Sequence, residues 1–125
     1  MSDYAAAAAF RAELRRFLRR SEELARENRL TPQQHLLLLM IAGADGATST
    51  VSALVERLQL TQSTVTELVQ RAEDAGLVSR RPSAADGRVV ELTLTREGEK
   101  RLASVHRALG AERHQLREIV EDLPD

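Results

Sequence analysis

Cysteine and tryptophan are absent from this chain of 125 residues, and phenylalanine and tyrosine together supply three side chains. Without thiols the protein has no disulfides, no cysteine nucleophile and no thiolate metal site. A core with so few aromatic rings must be built from leucine, valine and alanine, which is typical of helical proteins. The length corresponds to about one domain.

Long hydrophobic runs are absent too. The longest, residues 36–42, has seven residues, whereas a transmembrane helix needs about 18. The N-terminus has no basic region before its short alanine run, so the pattern of a secretory signal is not met. We therefore expect a soluble, cytoplasmic protein with no membrane partner.

The chain has no excess of positive charge. Its 18 basic and 19 acidic residues give a formal net charge of −1. Such a chain has no overall positive field that would attract nucleic acid. Any binding to DNA must therefore come from a local arrangement of side chains.

Catalytic and metal-binding patterns are missing as well. No serine or histidine has the spacing of a nucleophile and its base, and no glycine-rich phosphate loop follows a predicted strand. His106 and His114 are eight residues apart, which turns one about 80° from the other around a helix. We expect no enzymatic activity, no cofactor and no metal site.

Apolar residues at spacings of three and four predict an amphipathic helix from about Asp3 to Asn28. This helix is longer than a small core requires, so part of its apolar stripe is expected to contact another chain; a face of the chain's own core is the alternative. A second helix begins at Thr31, which is followed by proline at the first helical position and by glutamine three residues after the cap. It is apolar on nearly every side up to Gly43, so it should lie in the middle of the fold.

The middle of the chain contains two short helices separated by a tight turn. Thr50 caps the first and Thr61 the second, and Gly76 stands where a helix often ends in a left-handed conformation. Two helices joined by so short a turn must cross steeply. The pair therefore predicts a helix-turn-helix.

After these helices the hydrophobic period changes from 3.6 to 2. Residues 77–81 and 88–94 predict two strands of a β-hairpin, to which residues 47–49 could add a third. A final helix begins after Thr95, and its heptad-spaced apolar residues predict a coiled-coil-like seam. Gly110 within it could mark a kink, a close helix crossing or a boundary between two helices.

A helix-turn-helix followed directly by a hairpin is the order of elements in a winged helix. The predicted fold class is mainly α with a small antiparallel β-wing, in which a winged helix-turn-helix core is flanked by N- and C-terminal dimerisation helices. The predicted regions are an N-terminal dimerisation helix at residues 1–30, a DNA-binding domain at 31–95 and a C-terminal dimerisation helix at 96–125.

In this arrangement the second helix of the pair, residues 62–75, has the width to enter a major groove, and the wing, residues 80–88, lies beside the minor groove. Asp86 is spaced to hold the guanidinium of Arg88 in place, although an ordinary surface ion pair, which contributes little to stability, is the alternative. The predicted DNA contacts are Gln62, Ser63, Thr64, Thr66, Gln70, Arg71, Arg80, Arg81, Asp86 and Arg88.

Six segments stand in a recognisable order and spacing. They are LVERL at 54–58, STVTELV at 63–69, EDAGLV at 73–78, RRP at 80–82, DGR at 86–88 and LTLTREG at 92–98. With these segments the chain resembles the MarR family of bacterial transcription regulators. The resemblance implies a homodimer held by the terminal helices, a recognition helix at 62–75, and Arg88 reaching into the minor groove with Asp86 bracing it.

Three features depart from the family pattern. Gln59 occupies the turn position where a small residue or glycine is common, which implies a minor strain at most. Glu67 stands where relatives often carry a basic residue, and with Glu73 and Asp74 against Arg71 it gives the predicted recognition helix a charge of −2. Affinity for DNA should then depend mainly on the wing. The sequence also ends at Asp125, about where relatives begin a further helix, so we expect the dimer to be built from the first and last helices alone.

We expect a homodimeric, sequence-specific repressor that binds a near-palindromic operator in double-stranded DNA, with recognition helices about 34 Å apart. A small ligand, in such regulators often an aromatic or phenolic anion, would release it. His35 lies where a pocket for that ligand would be, although a packed histidine is the alternative. The predicted dimer-interface residues are Phe10, Leu14, Phe17, Leu102, Val105, Leu109, Leu116 and Ile119. The rival function is a winged-helix dimer that serves as a protein-interaction module with little specific DNA binding.

Overall fold

A computed structural model describes residues 2–124. Within that range the chain forms six α-helices and one two-stranded antiparallel sheet. The elements are α1 Asp3–Glu27, α2 Pro32–Ala42, α3 Val51–Leu58, α4 Gln62–Asp74, β1 Val78–Pro82, β2 Val90–Leu94, α5 Arg96–Ala108 and α6 Gly110–Glu121. The predicted fold class, mainly α with a small antiparallel wing, is confirmed.

Threonine caps fix the starts of four helices. The Thr31 hydroxyl accepts a hydrogen bond from the Gln34 amide, and the Gln34 side chain accepts one from the Thr31 amide, each at 3.0 Å. Thr50, Thr61 and Thr95 each accept a bond from the amide three residues later, at 3.1–3.2 Å. These bonds satisfy amide groups that have no partner inside the helix, so local chemistry sets the boundaries.

Helix α2 lies in the middle of the fold, as its composition predicts. It packs against α1, α3, α4, α5 and β2, and its side chains Leu37, Leu38 and Ile41 are fully buried. Burying one such side chain contributes about 1.5–3 kcal/mol. Leu36 and Leu39 differ from the prediction because they are exposed on one side of the helix.

The helix-turn-helix is present. Helix α3 ends at Leu58, its C-cap Gln59 is left-handed with a φ of 56° and a ψ of 42°, and α4 begins after Thr61. Leu60 lies in the turn, half-buried against the core. The end of α4 also follows the prediction, because Gly76 has a φ of 76° and the Leu77 amide donates to the carbonyl of Ala72 at 2.9 Å.

The hairpin pairs Val78 with Leu94 at its base and Pro82 with Val90 at its outer end. Strand β1 is shifted by one residue from the predicted strand 77–81. Strand β2 is two residues shorter than the predicted strand 88–94, because residues 83–89 form the loop. A 2.8 Å hydrogen bond from the Ser83 amide to the carbonyl of Val89 joins the two ends of this loop.

The third strand expected at residues 47–49 is reduced to one bridge. Ser49 exchanges two backbone hydrogen bonds with Leu92, at 3.1 and 2.8 Å. The bridge joins the segment before α3 to the inner face of the wing, where Leu92 is fully buried.

The C-terminal region is two helices, which corrects the single helix expected at residues 96–125. Helix α5 ends at Ala108, Leu109 adopts a φ of −89° and a ψ of 4°, and α6 begins at Gly110. Glycine costs about 1 kcal/mol in a helix interior. Gly110 instead marks the boundary between two helices, which is one of the three alternatives considered for it. Helix α6 then packs along α1.

No helix between residues 2 and 124 combines the length and apolar content that crossing a membrane requires.

Candidate nucleic-acid interface

The outward face of α4 is polar and open to solvent. The opposite side of the helix is fixed to the core by Val65, Leu68, Val69 and Ala72. This leaves a shallow exposed surface lined by Gln62, Ser63, Thr66, Glu67 and Gln70. Four of these are predicted DNA contacts and are exposed, although Gln70 donates to Asp74 at 3.0 Å and Ser63 shares a 3.3 Å hydrogen bond with Thr61.

Thr64 differs from the other predicted contacts of α4. It is half-buried, and its hydroxyl accepts a 2.8 Å hydrogen bond from Thr61, whose own hydroxyl caps the helix. The side chain is therefore committed to the helix N-terminus, next to where a phosphate would lie.

The expected ion pair on the wing is present. The Arg88 guanidinium donates to both carboxylate oxygens of Asp86, at 3.2 and 3.4 Å, and the Arg88 amide donates to the same carboxylate at 3.0 Å. These bonds lower the pKa of Asp86, so the carboxylate stays charged at neutral pH. The arginine side chain is 92% exposed, and these bonds favour one orientation of it.

Each arginine predicted to contact DNA has an acidic partner. The pairs are Arg71 with Glu67 at 2.6 Å, Arg80 with Glu73 at 3.0 Å, Arg81 with Glu91 at 3.4 Å and Arg88 with Asp86 at 3.2 Å. Exposed ion pairs are weak because water solvates both partners, so each arginine can still turn toward a phosphate. The surface as a whole nevertheless has no excess of positive charge.

Sequence reasoning missed three of these pairs, including Glu67 and Arg71, which are four residues apart on one helix. Glu73 and Arg80 are seven residues apart and meet only because β1 folds back beside the end of α4. Arg81 and Glu91 are directly opposite in the hairpin, so a predicted register would have paired them.

Helix α4 and the wing are fixed to each other at the base of the hairpin. The Thr95 hydroxyl donates to the carbonyl of Gly76 at 2.6 Å, and its amide donates to the carbonyl of Leu77 at 3.0 Å. Gly98 packs so closely that a Cβ there would lie 3.1 Å from the carbonyl carbon of Leu77 and nearer still to its oxygen. The outward face of α4 and the wing therefore form one rigid unit.

This unit has recognisable relatives. Residues 30–89 match the family model described as MarR family. The transcriptional regulator HosA of Escherichia coli is 40% identical over 75 residues, which cover 60% of this chain and 54% of HosA. A transcriptional regulator from Thermotoga maritima, known from its crystal structure, is 27% identical with a TM-score of 0.71, covering 95% of this chain and 80% of that one. Over residues 30–89 the chain therefore matches the MarR family.

Two further facts describe how this chain compares with MarR-family proteins. The chain spans about half the length of the curated relative HosA. A mutant of E. coli MarR complexed with operator DNA has the same fold at 24% identity, with a TM-score of 0.70, covering 94% of this chain and 81% of that one. The family and the curated relative are transcriptional regulators rather than enzymes.

The residues assigned to a MarR-type dimer interface divide into two groups. Leu102, Val105 and Leu109 lie in the chain's own core, which corrects their assignment, because a heptad pattern does not distinguish a partner helix from α1 and α2 of the same chain. The others lie on α1 and α6 and are half-buried; they are Phe10, Leu14, Phe17, Leu116 and Ile119.

A pocket of about 480 Å³ opens beside His35, between α1, α2 and the junction of α5 with α6. Its walls are mainly apolar, and polar groups are added by Ser21, Glu22, Gln33, His106 and Arg113. His35 is 8% exposed, and its Nδ1 is 3.5 Å from the Ser21 hydroxyl. Burial, and secondarily the nearby His106, lower the pKa of His35, so its imidazole is neutral at pH 7.

No group of three or more histidine or acidic side chains in the described part of the chain is arranged to hold a metal ion.

Proposed function

We propose that this protein is a homodimeric, sequence-specific regulator of the MarR family that binds double-stranded DNA and represses transcription. The observation that carries the proposal is the rigid unit in which the exposed polar face of α4 lies beside a wing whose Arg88 is held by Asp86. The DNA-bound mutant of E. coli MarR, which has the same fold, supports it. Residues 31–95 would form the DNA-binding domain, and residues 1–30 and 96–125 the dimerisation regions.

Helix α4 has suitable dimensions for reading a major groove. Its 13 residues give a length of about 20 Å at 1.5 Å per residue, and a helix fits the groove width of about 12 Å. Its exposed side chains would bond to base edges or phosphates, while Arg80 and Arg81 lie along the wing. Arg88 would enter the minor groove, where the negative potential is strongest when the groove is narrow.

A second copy of the chain would cover apolar side chains that α1 and α6 leave half-exposed. These are Phe10, Leu14, Leu116 and Ile119, together with the exposed Val120. A two-fold dimer would place two recognition helices about 34 Å apart. Its operator would then be near-palindromic, since DNA sites mirror the symmetry of the dimer.

The pocket beside His35 would bind the ligand that releases the DNA. Its apolar walls suit an aromatic ring, and the guanidinium of Arg113 suits a carboxylate or phenolate. The pocket lies where α2 of the DNA-binding domain meets α1, α5 and α6. A bound ligand would therefore change the position of the terminal helices relative to α4.

The rival function, a protein-interaction module, is favoured by one observation: the arginines of the interface are all paired with acidic residues. A surface without excess positive charge has a weak general attraction for phosphates. On this alternative, the wing and α4 would contact another protein.

A selection from a random double-stranded DNA library tests the proposal. We expect a near-palindromic motif, and a duplex carrying it should bind at least about 10³-fold more tightly than a scrambled duplex. Sedimentation of the complex should give two chains per duplex. Equal, feeble binding to every duplex would favour the rival function.

A further inference from the structure

Glu67 occupies the middle of the face that α4 would present to DNA. At 100° per residue, it lies within about 30° of the direction opposite to the four buried side chains of the helix. Ser63 and Gln70 lie one turn to either side of it, and all three line the same exposed surface. A helix in the major groove meets base edges along the middle of this face and phosphates along its margins.

A carboxylate in that position restricts which DNA sequence can lie beneath the helix. The acceptors of the major groove, guanine N7 and O6, adenine N7 and thymine O4, repel it, as do the phosphates. Donors are found on the exocyclic amines, and the usual base partner of a carboxylate is the N4 amine of cytosine. Glu67 therefore favours cytosine and disfavours most other edges.

Arg71 lies one turn further along, and its guanidinium donates to the Glu67 carboxylate at 2.6 Å. Both side chains are exposed to solvent, at 69% and 62%, so the pair can turn as a unit toward a base pair. Arginine has five N–H donors, which leaves others free for guanine O6 and N7, its preferred base partners. One acceptor and one cationic donor side by side thus match the two edges of a C·G base pair.

The other acidic partners of the interface are placed differently. Glu73 ties the end of α4 to β1 through Arg80, Glu91 lies opposite Arg81 in the hairpin, and Asp86 holds Arg88. All three are less exposed than Glu67. They orient arginines, whereas Glu67 itself faces outward.

We propose that Glu67 and Arg71 together determine specificity by reading one C·G base pair in each half of the operator. Glu67 accepts a hydrogen bond from cytosine N4, and Arg71 donates to guanine. This inference rests on the proposed function. It also explains how a recognition helix with a charge of −2 can bind DNA: the carboxylate reduces affinity for all sequences but reduces it least where cytosine lies beneath it.

Parallel selections from a random duplex library, using the full chain and its Glu67→Ala, Glu67→Gln and Arg71→Ala variants, test this readout. The original chain should enrich an invariant C·G pair in each half-site, and replacing that pair should weaken binding about 10- to 100-fold. Glu67→Ala should lose this preference and bind non-specific DNA more tightly. Glu67→Gln should shift the preference toward A·T, because glutamine pairs with adenine N6 and N7.

The matched control is Glu23→Gln on α1, which removes the same charge from an exposed glutamate that is paired with Arg19 and Arg20, four and three residues away. It should keep the motif of the original chain. The double variant with alanine at 67 and 71 should lose no more discrimination at the C·G pair than either single variant, since two groups that read one base pair are coupled.

Two outcomes overturn the readout, and they are distinct. If Glu67→Ala enriches the same motif with the same discrimination, the readout fails while the proposed function stands. If the original chain enriches no motif at all, the proposed function fails and the readout falls with it.

Discussion

The α4–wing unit and the terminal helices α1 and α6 differ in which side chains they expose to solvent in a single chain. In the unit, inward side chains such as Val65 and Leu92 are fully buried, and the arginines that point outward have acidic partners. The terminal helices instead leave Leu18 and Val120 exposed. The unit exposes Val89 and Val90 at the outer end of the wing, whereas α1 and α6 expose apolar groups along helix faces. Water solvates apolar groups poorly, so on the proposed function a second copy of the chain would cover α1 and α6.

This difference assigns separate roles to the two regions. Specific contacts with DNA would depend on rigid geometry that is already present, from the Gly98 contact to the Asp86–Arg88 pair. Symmetry and spacing would depend on association. Variants of the first region should therefore change affinity or folding without changing assembly, and variants of the second should do the reverse.

The largest effect is expected for Gly98→Ala, which tests the rigidity of the α4–wing unit. The new Cβ would overlap the carbonyl of Leu77, so the backbone must shift, and we expect a loss of about 3 kcal/mol in the free energy of unfolding. Urea denaturation measures it. Gly110→Ala is the control, because its Cβ would meet only a side-chain nitrogen of Arg113 at 3.9 Å. Equal stability of both variants would show that the close packing at Gly98 is unimportant.

Arg88→Ala comes next and tests the wing. Removing a guanidinium that is already oriented should weaken operator binding by about 1–3 kcal/mol and leave the dimer intact. Anisotropy titration of a labelled operator, with sedimentation of the free protein, measures both quantities. Arg19→Ala on α1 is a control of equal charge. Unchanged affinity would remove the wing from DNA recognition.

Val120→Lys tests the terminal helices. Val120 is 46% exposed in the single chain, so lysine should not disturb folding, but its charge would be buried in a dimer that covers α6. We expect dimerisation to weaken by about 1–2 kcal/mol, as measured by sedimentation equilibrium. Glu121→Lys, the neighbouring exposed position, adds positive charge as a control. A dimer of unchanged strength would place the interface elsewhere.

Local chemistry explains what the sequence made predictable. The threonine caps, the left-handed Gly76 and the Asp86–Arg88 pair depend on residues within a few positions of one another, so a pattern in the sequence was enough. The same holds for the hairpin, whose alternating pattern marked both strands to within two residues.

Contacts between distant segments account for what was missed. The burial of Leu102, Val105 and Leu109 depends on which helices pack against α5, and a heptad does not specify that. The Arg80–Glu73 pair needs β1 to return beside α4. Val90 shares a strand face with Leu92, yet it is exposed, because the outer end of the wing extends beyond the core.

The smallest effect concerns His35 on α2, the helix that packs against both α1 and α4. Burial lowers its pKa below the ordinary value of 6.5. Above pH 6.5 the imidazole is neutral in both folded and unfolded chains, so its contribution to stability is fully present. As the pH falls below 6.5 the unfolded chain takes up a proton that the folded chain does not, and stability is lost until the lower folded pKa is passed.

The variant His35→Gln removes this proton linkage. Urea denaturation at pH 7.5, 6.0 and 5.0 should show a shallower loss of stability on acidification than in the original chain. His114→Gln on the exposed part of α6 is the control, since it removes an exposed imidazole whose partner is the exposed Glu118 and leaves the one between α1 and α2 in place. If His35→Gln kept the full pH dependence, the buried imidazole would not be its source. The packing of α2 against α1 would then be insensitive to the protonation of His35.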